Sequence, residues 1–351
     1  MKLCVNCEKM EPIVMRNIFS WRRMFVFIAI LFVELSLLAV PTVTDVVAKQ
    51  RFPWNGLVDI TCKVTGIEKS APYKFYIEAV QPDEGITNKV AQFWVVQNGT
   101  KLSDFKVTAN NDYHLIWDAK ADLGSIRCPN MIVCVGLEDG HDKVQLWEGG
   151  PYWATTNIGA EKTEDSGYYF WWGDKIGYKR GNNKWIASDG SNSDFSFSGS
   201  NTPTDGKSIS TLKSEGWLTS DGVLAPEHDA ANIHWGNGWR MPTKDEFDAL
   251  NNKCDWTRTT MNGVKGYIVK GRGSYASNSI FLPAAGHGYG TSLELFGSCG
   301  YYWSSVPYSG NGNYYAWFLD FYLSSSSHNT AYYIYYRFNG RPVRPVLGFT
   351  K

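Results

Sequence analysis

Short apolar runs separated by turn residues follow one another along residues 42–144. Runs rich in β-branched and aromatic residues, such as 57–64 and 74–80, recur along this part of the chain, and turn sequences such as Asn98-Gly99 separate the runs. Regular spacing of short strands between turn signals is typical of two packed antiparallel sheets. We therefore predict an immunoglobulin-like β-sandwich over residues 42–144, and its side chains form no pattern that suggests catalysis.

One helix stands out in the rest of the chain, which otherwise alternates short strands with loops. Thr243 and Glu246 form a capping-box pattern, in which each side chain can bond to the other residue's backbone N–H. Phe247, Leu250 and Cys254 follow at a spacing that places them on one face of a helix. The sequence thus predicts a mainly β protein whose C-terminal domain is α+β.

The first 40 residues have the pattern of an export signal. A basic stretch over residues 1–23 precedes apolar runs over 24–33 and 35–40, which is the order found in signal peptides. The apolar part is short for a membrane-spanning helix, which needs about 20 apolar residues. A cleaved signal peptide is the favoured interpretation of residues 1–40, and an uncleaved N-terminal anchor or a buried helix are the alternatives. We expect a secreted or cell-surface protein that contacts a membrane only through this segment, if it is retained.

The charge balance argues against one class of partner. The 351 residues include 34 Lys and Arg and 34 Asp and Glu, so the formal net charge is zero. Nucleic-acid-binding proteins usually carry a basic excess that neutralises phosphates. We therefore expect no nucleic acid among the partners.

Residues 301–336 have the most unusual composition in the chain. This segment holds ten of the 20 tyrosines, seven serines and three asparagines, and its only formal charge is Asp320. Antibody binding loops use a similar mixture, since tyrosine supplies rigid amphipathic contact area and small polar residues supply adaptable hydrogen bonds. The composition therefore predicts an interaction surface.

Alternation along residues 316–322 divides one predicted strand into two faces. The inward set is Trp317, Leu319 and Phe321, and the outward set is Phe318, Asp320 and Tyr322. Exposed aromatic side chains mark interaction surfaces, and four tyrosines would join the outward set: Tyr332, Tyr333, Tyr335 and Tyr336. The alternative is a strand buried on both faces, followed by a tyrosine-rich loop.

Candidate catalytic and metal-binding residues are sparse. His228 and His234 are six residues apart in a predicted loop, whereas a zinc site would need tighter spacing or further ligands. We expect ordinary polar roles for both, no metal site, no cofactor and no enzymatic activity. Export would permit a disulfide, and Cys62 is expected to pair with Cys128 or Cys134 in the same predicted domain.

Six segments of residues 145–351 are similar to segments of a known family and follow one another in the same order. They are LWEGGPYWATTNIGA (146–160), GYYFWWGD (167–174), NGWRMPTKDEFDAL (237–250), SNSIFLPAAG (277–286), GYYWSS (300–305) and GRPVRPV (340–346). This part of the chain resembles the Fibrobacter succinogenes major paralogous domain family. The resemblance implies a C-type-lectin fold related to the formylglycine-generating enzymes, preceded by the immunoglobulin-like module.

Residues 306–339 also resemble the variable region of proteins that diversity-generating retroelements diversify by mutating template adenines. The resemblance implies a scaffold that includes Trp303, Trp317, Leu319, Phe321 and Arg344. It implies diversified, ligand-binding positions at Tyr314, Tyr315, Phe318, Asp320, Tyr322, Tyr332, Tyr333, Tyr335, Tyr336, Phe338 and Asn339.

The expected function is non-catalytic recognition of an unknown protein or cell-surface glycan by this surface. A fixed carbohydrate-binding adhesin is one alternative, because aromatic rings also suit sugar faces. A relative of the formylglycine-generating oxidase is the second. That enzyme uses two C-terminal cysteines to bind copper, whereas residues 301–351 contain none, and Cys254 and Cys299 lie earlier in the chain.

Overall fold

The computed structural model describes residues 41–52, 55–67, 72–124, 130–191, 194–310, 312–324 and 333–348. The chain is mainly β, with 44% strand and 13% helix, and it divides into two units after Gly140. The predicted export segment, residues 1–40, lies outside the described residues. Within the ranges given above, no helix is both long and apolar enough to cross a membrane.

Two antiparallel sheets that share one apolar core form the first unit. Its elements are β1 (Thr42–Gln50), β2 (Leu57–Thr65), β3 (Tyr73–Gln81), β4 (Ile86–Lys89), β5 (Phe93–Gln97), β6 (Thr100–Leu102), β7 (Asn111–Asp118), α1 (Ala119–Leu123) and β8 (Ile132–Asp139). One sheet has the order β1-β2-β7-β5-β6, and the other has the order β4-β3-β8. Alternate residues of β2 and β3, such as Ile60 and Ile77, enter the same buried cluster, because successive side chains of a strand point to opposite faces.

Cys62 lies within this core, and its thiol is free. The expected disulfide from Cys62 to Cys128 or Cys134 is therefore wrong, and Cys128 lies outside the described residues. Burial raises the pKa of the Cys62 thiol to about 12, so the side chain behaves as a small apolar group.

The second unit contains short sheets and three helices among its described residues. Its strands are β9 (Lys143–Gln145), β10 (Tyr152–Ala154), β11 (Tyr178–Arg180), β12 (Trp185–Ala187), β13 (Trp239–Arg240), β14 (Asp255–Met261), β15 (Val264–Lys270), β16 (Ser279–Pro283), β17 (His287–Tyr289), β18 (Ser292–Glu294), β19 (Cys299–Pro307), β20 (Tyr315–Tyr322), β21 (Tyr333–Tyr336) and β22 (Val346–Leu347). The helices are α2 (Ile209–Ser214), α3 (Ala230–Trp235) and α4 (Lys244–Lys253). The sheets are β13-β22-β10-β9, β11-β12, β14-β15-β16, β17-β18 and β19-β20-β21.

The helix predicted after Thr243 is confirmed as α4. The Thr243 hydroxyl accepts the Glu246 backbone N–H at 3.2 Å, and the Glu246 carboxylate accepts the Thr243 N–H at 2.9 Å. This capping box satisfies two of the N–H groups that a helix N-terminus leaves unbonded. Phe247 and Leu250 are buried on the predicted apolar face.

The sheet β19-β20-β21 lies between two apolar clusters. Trp303 and Phe318 belong to one cluster, and Leu319 and Phe321 belong to the other. Both faces of the middle strand, β20, are therefore covered by core side chains. This sheet carries most of the residues predicted to bind a ligand.

Candidate functional site

Phe318 and Asp320 are buried, so the expectation that they face solvent is wrong. The alternation along β20 does separate two faces, and Leu319 and Phe321 are buried as expected. The physical reason for the error is that a second apolar layer covers the other face as well. Trp317 was expected to be buried, but it is only half-buried, and its ring lies beside that of Tyr308.

A buried arginine, Arg341, interacts electrostatically with the buried Asp320. Tyr301 lies opposite Asp320 in the strand register, and Trp303 lies opposite Phe318. The Arg341 guanidinium lies over this group, 3.5 Å from the Phe318 ring centroid and 4.6 Å from that of Trp303. Burial lowers the pKa of Arg341 to about 9, and Tyr301 and Asp320 oppose that shift. A cation packed on ring faces near a carboxylate is thus part of the core.

Asn339 is a second predicted site residue that is buried. Its Nδ2 donates to the Gly288 carbonyl oxygen at 3.5 Å, and its backbone N–H donates to the Tyr336 carbonyl oxygen at 3.1 Å. The side chain therefore lies among neighbouring backbone groups, and its expected exposure is wrong.

The remaining aromatic rings at this end of the sheet form a connected group, which we call the aromatic patch: Tyr315, Tyr335, Tyr336 and Phe338. Tyr336 stacks on Phe338 with centroids 5.0 Å apart and planes at 23°, and Tyr335 is nearly perpendicular to Tyr336 at 5.4 Å. Tyr315 lies 5.0 Å from Tyr336 and directly opposite it in the register. Tyr335 and Tyr336 expose 42% and 36% of their surface, while Tyr315 and Phe338 are half-buried.

The other predicted positions differ in how far they are exposed. Tyr314 is 46% exposed, and Tyr322 is half-buried with its ring against Tyr301. Tyr333 lies on β21 opposite Phe318, with only its backbone described. Tyr332 lies outside the described residues. The structure thus brings the patch residues together, whereas Phe318, Asp320 and Asn339 are buried.

Arg337 holds the backbone beneath the patch, and nothing in the sequence pattern singles it out. Its fully buried guanidinium donates from Nη1 to three carbonyl oxygens, those of Thr204, Lys207 and Asn313, at 2.8–3.0 Å. Its Nε donates to the Tyr315 carbonyl oxygen at 3.0 Å. Loops from distant parts of the chain therefore meet at one side chain.

Arg344 has the scaffold position expected for it. It is buried, and its Nε donates to Asn157 Oδ1 at 2.8 Å. Its terminal nitrogens donate to the carbonyl oxygens of Ala154, Thr155 and Phe281 at 2.9–3.1 Å. These bonds satisfy a buried charge that would otherwise be costly.

The expectation that His228 and His234 lie in a loop is wrong: His228 ends a single helical turn, His234 lies on α3, and both pack against aromatic rings. His228 stacks on Trp217 with centroids 3.8 Å apart, and His234 lies 5.3 Å from the Phe170 ring. Burial lowers the pKa of both imidazoles. Over the part of the chain that the structure describes, no group of three or more His, Cys, Asp or Glu is arranged to hold a metal ion.

Cys254 and Cys299 are separate buried thiols, and they belong to different apolar clusters. Burial raises the pKa of Cys254 to about 12 and raises the pKa of Cys299 as well. Since the thiolate is the reactive form, neither environment favours nucleophilic chemistry.

No family model matches the chain, and neither the curated proteins nor the solved structures contain a significant match.

Proposed function

We propose that this protein is a non-catalytic, secreted or surface-displayed binding protein whose aromatic patch docks on a ligand. In this proposal the second unit is a C-type-lectin-like scaffold, and the first is an immunoglobulin-like module that presents it. The observation that carries the proposal is the exposure of Tyr335 and Tyr336 on a sheet whose middle strand, β20, is packed against core side chains on both faces.

The physical argument rests on rigidity. A tyrosine held at the end of a packed strand loses little conformational freedom when it binds, and it offers both a ring and a hydroxyl. The ring contacts within the patch hold Tyr335, Tyr336 and Phe338 against one another before any ligand arrives. Preorganised aromatic side chains of this kind carry most of the binding energy in protein interfaces.

The proposal includes diversification of the patch by a retroelement. Exposed side chains can vary without unfolding a packed domain. Tyr314, Tyr335 and Tyr336 meet that condition, and Tyr315 and Phe338 are half-buried beside them. Phe318, Asp320 and Asn339 do not, because substitution of a buried group removes packing or leaves a polar partner unsatisfied.

The test is deep sequencing of the 3′ end of this gene within one bacterial population, with a search of the flanking DNA for a near-copy template and a reverse transcriptase. We expect substitutions that trace to template adenines, concentrated at Tyr314, Tyr315, Tyr335, Tyr336 and Phe338. Variation no greater than in residues 237–250, together with the lack of a template, would contradict diversification. A fixed site would then remain, and a glycan array would test the carbohydrate-binding alternative.

A further inference from the structure

The strand β14 forms one edge of the sheet β14-β15-β16. It has seven residues and pairs with β15 without a bulge, from Asp255 opposite Lys270 to Met261 opposite Val264. It contains no proline or lysine, and three of its residues are threonines, which favour extended backbone. A regular edge strand of this kind can accept a further strand, because a row of its backbone N–H and C=O groups faces away from its neighbour.

The turn at the end of β14 shows which backbone groups face outward. Asn262 and Gly263 have φ values of +47° and +86°, as in the type I′ turn of a two-residue hairpin. In such a hairpin the two residues that flank the turn form a hydrogen-bonded pair, and bonded and non-bonded pairs alternate along the strands from that point. The N–H and C=O groups of Arg258 and Thr260 therefore point away from β15.

The pairing on the other side of β15 agrees with this assignment. Lys265 lies opposite Thr260, and its carbonyl oxygen accepts the Ala284 N–H at 2.8 Å, so the backbone of Lys265 is directed away from β14. Among the described residues, no hydrogen bond joins the outward N–H and C=O groups of Arg258 and Thr260 to another part of the chain. Both residues are exposed, as is Thr257. The outer edge of β14 is thus open to solvent.

Arg258 carries the only formal charge between Asp255 and Met261. Charged side chains on an edge strand usually keep other strands away. Here Nη1 of Arg258 donates to the Leu323 carbonyl oxygen, so the guanidinium is held against the segment that follows β20. The side chain is therefore not free to extend over the edge and protect it.

The other edge strands of seven or more residues within the described ranges are β1, β8 and β19, and each is protected. In β1 the register shifts between Thr44 and Val47, and such a bulge discourages further pairing. Strand β8 lies alongside β1. Strand β19 is buried, and its Trp303 N–H donates to the Pro342 carbonyl oxygen. The open edge of β14 is therefore a distinct feature of the described part of the chain.

We propose that β14 pairs with β14 of a second copy of the chain, antiparallel about a two-fold axis, so that two three-stranded sheets join into one. In the register that we assign, Thr259 lies on the axis opposite its own equivalent, and Arg258 lies opposite Thr260. These two residues of each copy then exchange their outward hydrogen bonds with the other copy. The inference goes beyond the proposed function, and such a dimer would carry two aromatic patches, which permits bivalent binding.

The sequence of β14 favours a second copy as the partner because it is complementary to itself in this register. Arg258 faces a neutral residue, so no like charges lie directly opposite each other, and a threonine pair at the axis is a favourable cross-strand combination. The formal net charge of the chain is zero, so two copies repel each other weakly. These are the conditions that a symmetric, isologous interface needs.

The first experiment measures the mass of the full chain by analytical ultracentrifugation over a wide range of protein concentration. We expect a reversible monomer–dimer equilibrium. A chain that stays monomeric at every concentration would overturn the proposal.

Thr259→Lys and Thr259→Glu test the register. Each variant alone places like charges opposite each other on the axis, so each should weaken the dimer at least about tenfold. An equal mixture of the two should form a mixed dimer at least as strong as the native one. Thr257→Lys is the matched control on the same face of β14, and it should change the dimer less than about twofold, because residue 257 then faces Met261.

A different pattern would contradict this register. If Thr259→Lys strengthens the dimer and Thr257→Lys weakens it, then Thr259 faces Asp255 and Thr257 lies on the axis. If none of these variants changes the dimer, β14 is not the interface.

Thr260→Pro tests the backbone bonds directly. Proline removes only the outward N–H of Thr260, and edge strands tolerate it, so the dimer should weaken at least about tenfold while the circular dichroism spectrum of the monomer stays native. Thr260→Val keeps the N–H and should dimerise as the native chain does. Association through the aromatic patch would instead be lost with Tyr336→Ser and unaffected by the β14 variants, and that result would overturn the proposal while leaving the proposed function in place.

Discussion

Arg341, in the second unit, is a buried cation enclosed by aromatic rings. The Arg341 guanidinium lies within 5.4 Å of the ring centroids of Tyr301, Trp303, Phe318 and Tyr335. Only the last of these rings is exposed. Arg341 therefore connects the buried sheet to the aromatic patch.

Replacement of Arg341 by lysine should destabilise the second unit by about 2–3 kcal/mol. Lysine keeps the charge but loses the planar group that packs on the Phe318 ring. Urea denaturation of the full chain measures the difference. The control is Arg272→Lys, where a half-exposed guanidinium bonds to Asp255 and to the carbonyl oxygens of Asn252 and Cys254, and for which we expect a smaller loss of about 1 kcal/mol. Equal effects of the two substitutions would show that ring packing around Arg341 contributes nothing.

His287 should make stability depend on pH. Burial, assisted by the charge of Arg341, lowers the pKa of His287 to about 4, whereas an unfolded histidine titrates near 6.5. Between these values the unfolded chain binds a proton that the folded chain does not, so acidification favours unfolding. The histidine should account for a loss of about 2 kcal/mol from about pH 7.5 to about pH 5.

Comparison with His287→Gln isolates this contribution from that of other groups. Glutamine does not titrate, so the variant should lose less stability than the native chain over the same pH interval. Urea unfolding of both proteins at the two pH values gives the difference. Identical pH dependence in the two proteins would contradict a depressed pKa at His287.

At the level of elements, α4 and β20 show what local sequence can and cannot establish. Helix α4 was predictable because its signals, Thr243 and Glu246, act within four residues of each other. The two faces of β20 were predictable from alternation. The burial of both faces was not predictable, because the side chain that packs over Phe318 belongs to Arg341, more than twenty residues later in the chain. A period of two separates faces but does not say which of them the fold leaves open.

The same limit applies to the candidate site. Its aromatic composition was visible in the sequence, and Tyr335 and Tyr336 are exposed. The position of Tyr289 beside the Phe338 ring was not visible, since a lone tyrosine in a short strand carries no signal. That position depends on the backbone pairing of Gly288 with Gly340.

Loss of the cap on α4 should cost about 1 kcal/mol of stability. Thr243→Ala removes the oxygen that accepts the Glu246 N–H, and chemical denaturation measures the result. Thr243→Ser retains the hydroxyl and should stay close to the native value. If serine and alanine are equally destabilising, then lost packing of the threonine methyl group is the cause.

At the level of the whole molecule, zero net charge and exposed aromatic rings both favour association between copies of the chain. The formal net charge of the chain is zero at neutral pH, so copies repel one another weakly. Exposed aromatic groups add attraction between copies. The aromatic patch is therefore also expected to limit solubility.

Tyr335→Ser should raise solubility near pH 7, as measured by precipitation with polyethylene glycol. Tyr152→Ser removes a ring of nearly equal exposure from β10, and it should raise solubility less, because Tyr152 is not part of the aromatic patch. Equal gains from the two substitutions would mean that the patch is no more adhesive than an isolated tyrosine.

The bonds of Arg337 bear on how such a protein can evolve. Among the described residues, the guanidinium donates to main-chain oxygens, at Thr204, Lys207, Asn313 and Tyr315. Every amino acid carries that oxygen, so the anchor makes no demand on which side chains occupy those four positions. Sequence change at the exposed Asn313 and the half-buried Tyr315 can alter what the surface presents while the backbone path beneath them is retained, whereas Thr204 is buried and its own hydroxyl donates to the Trp172 carbonyl oxygen.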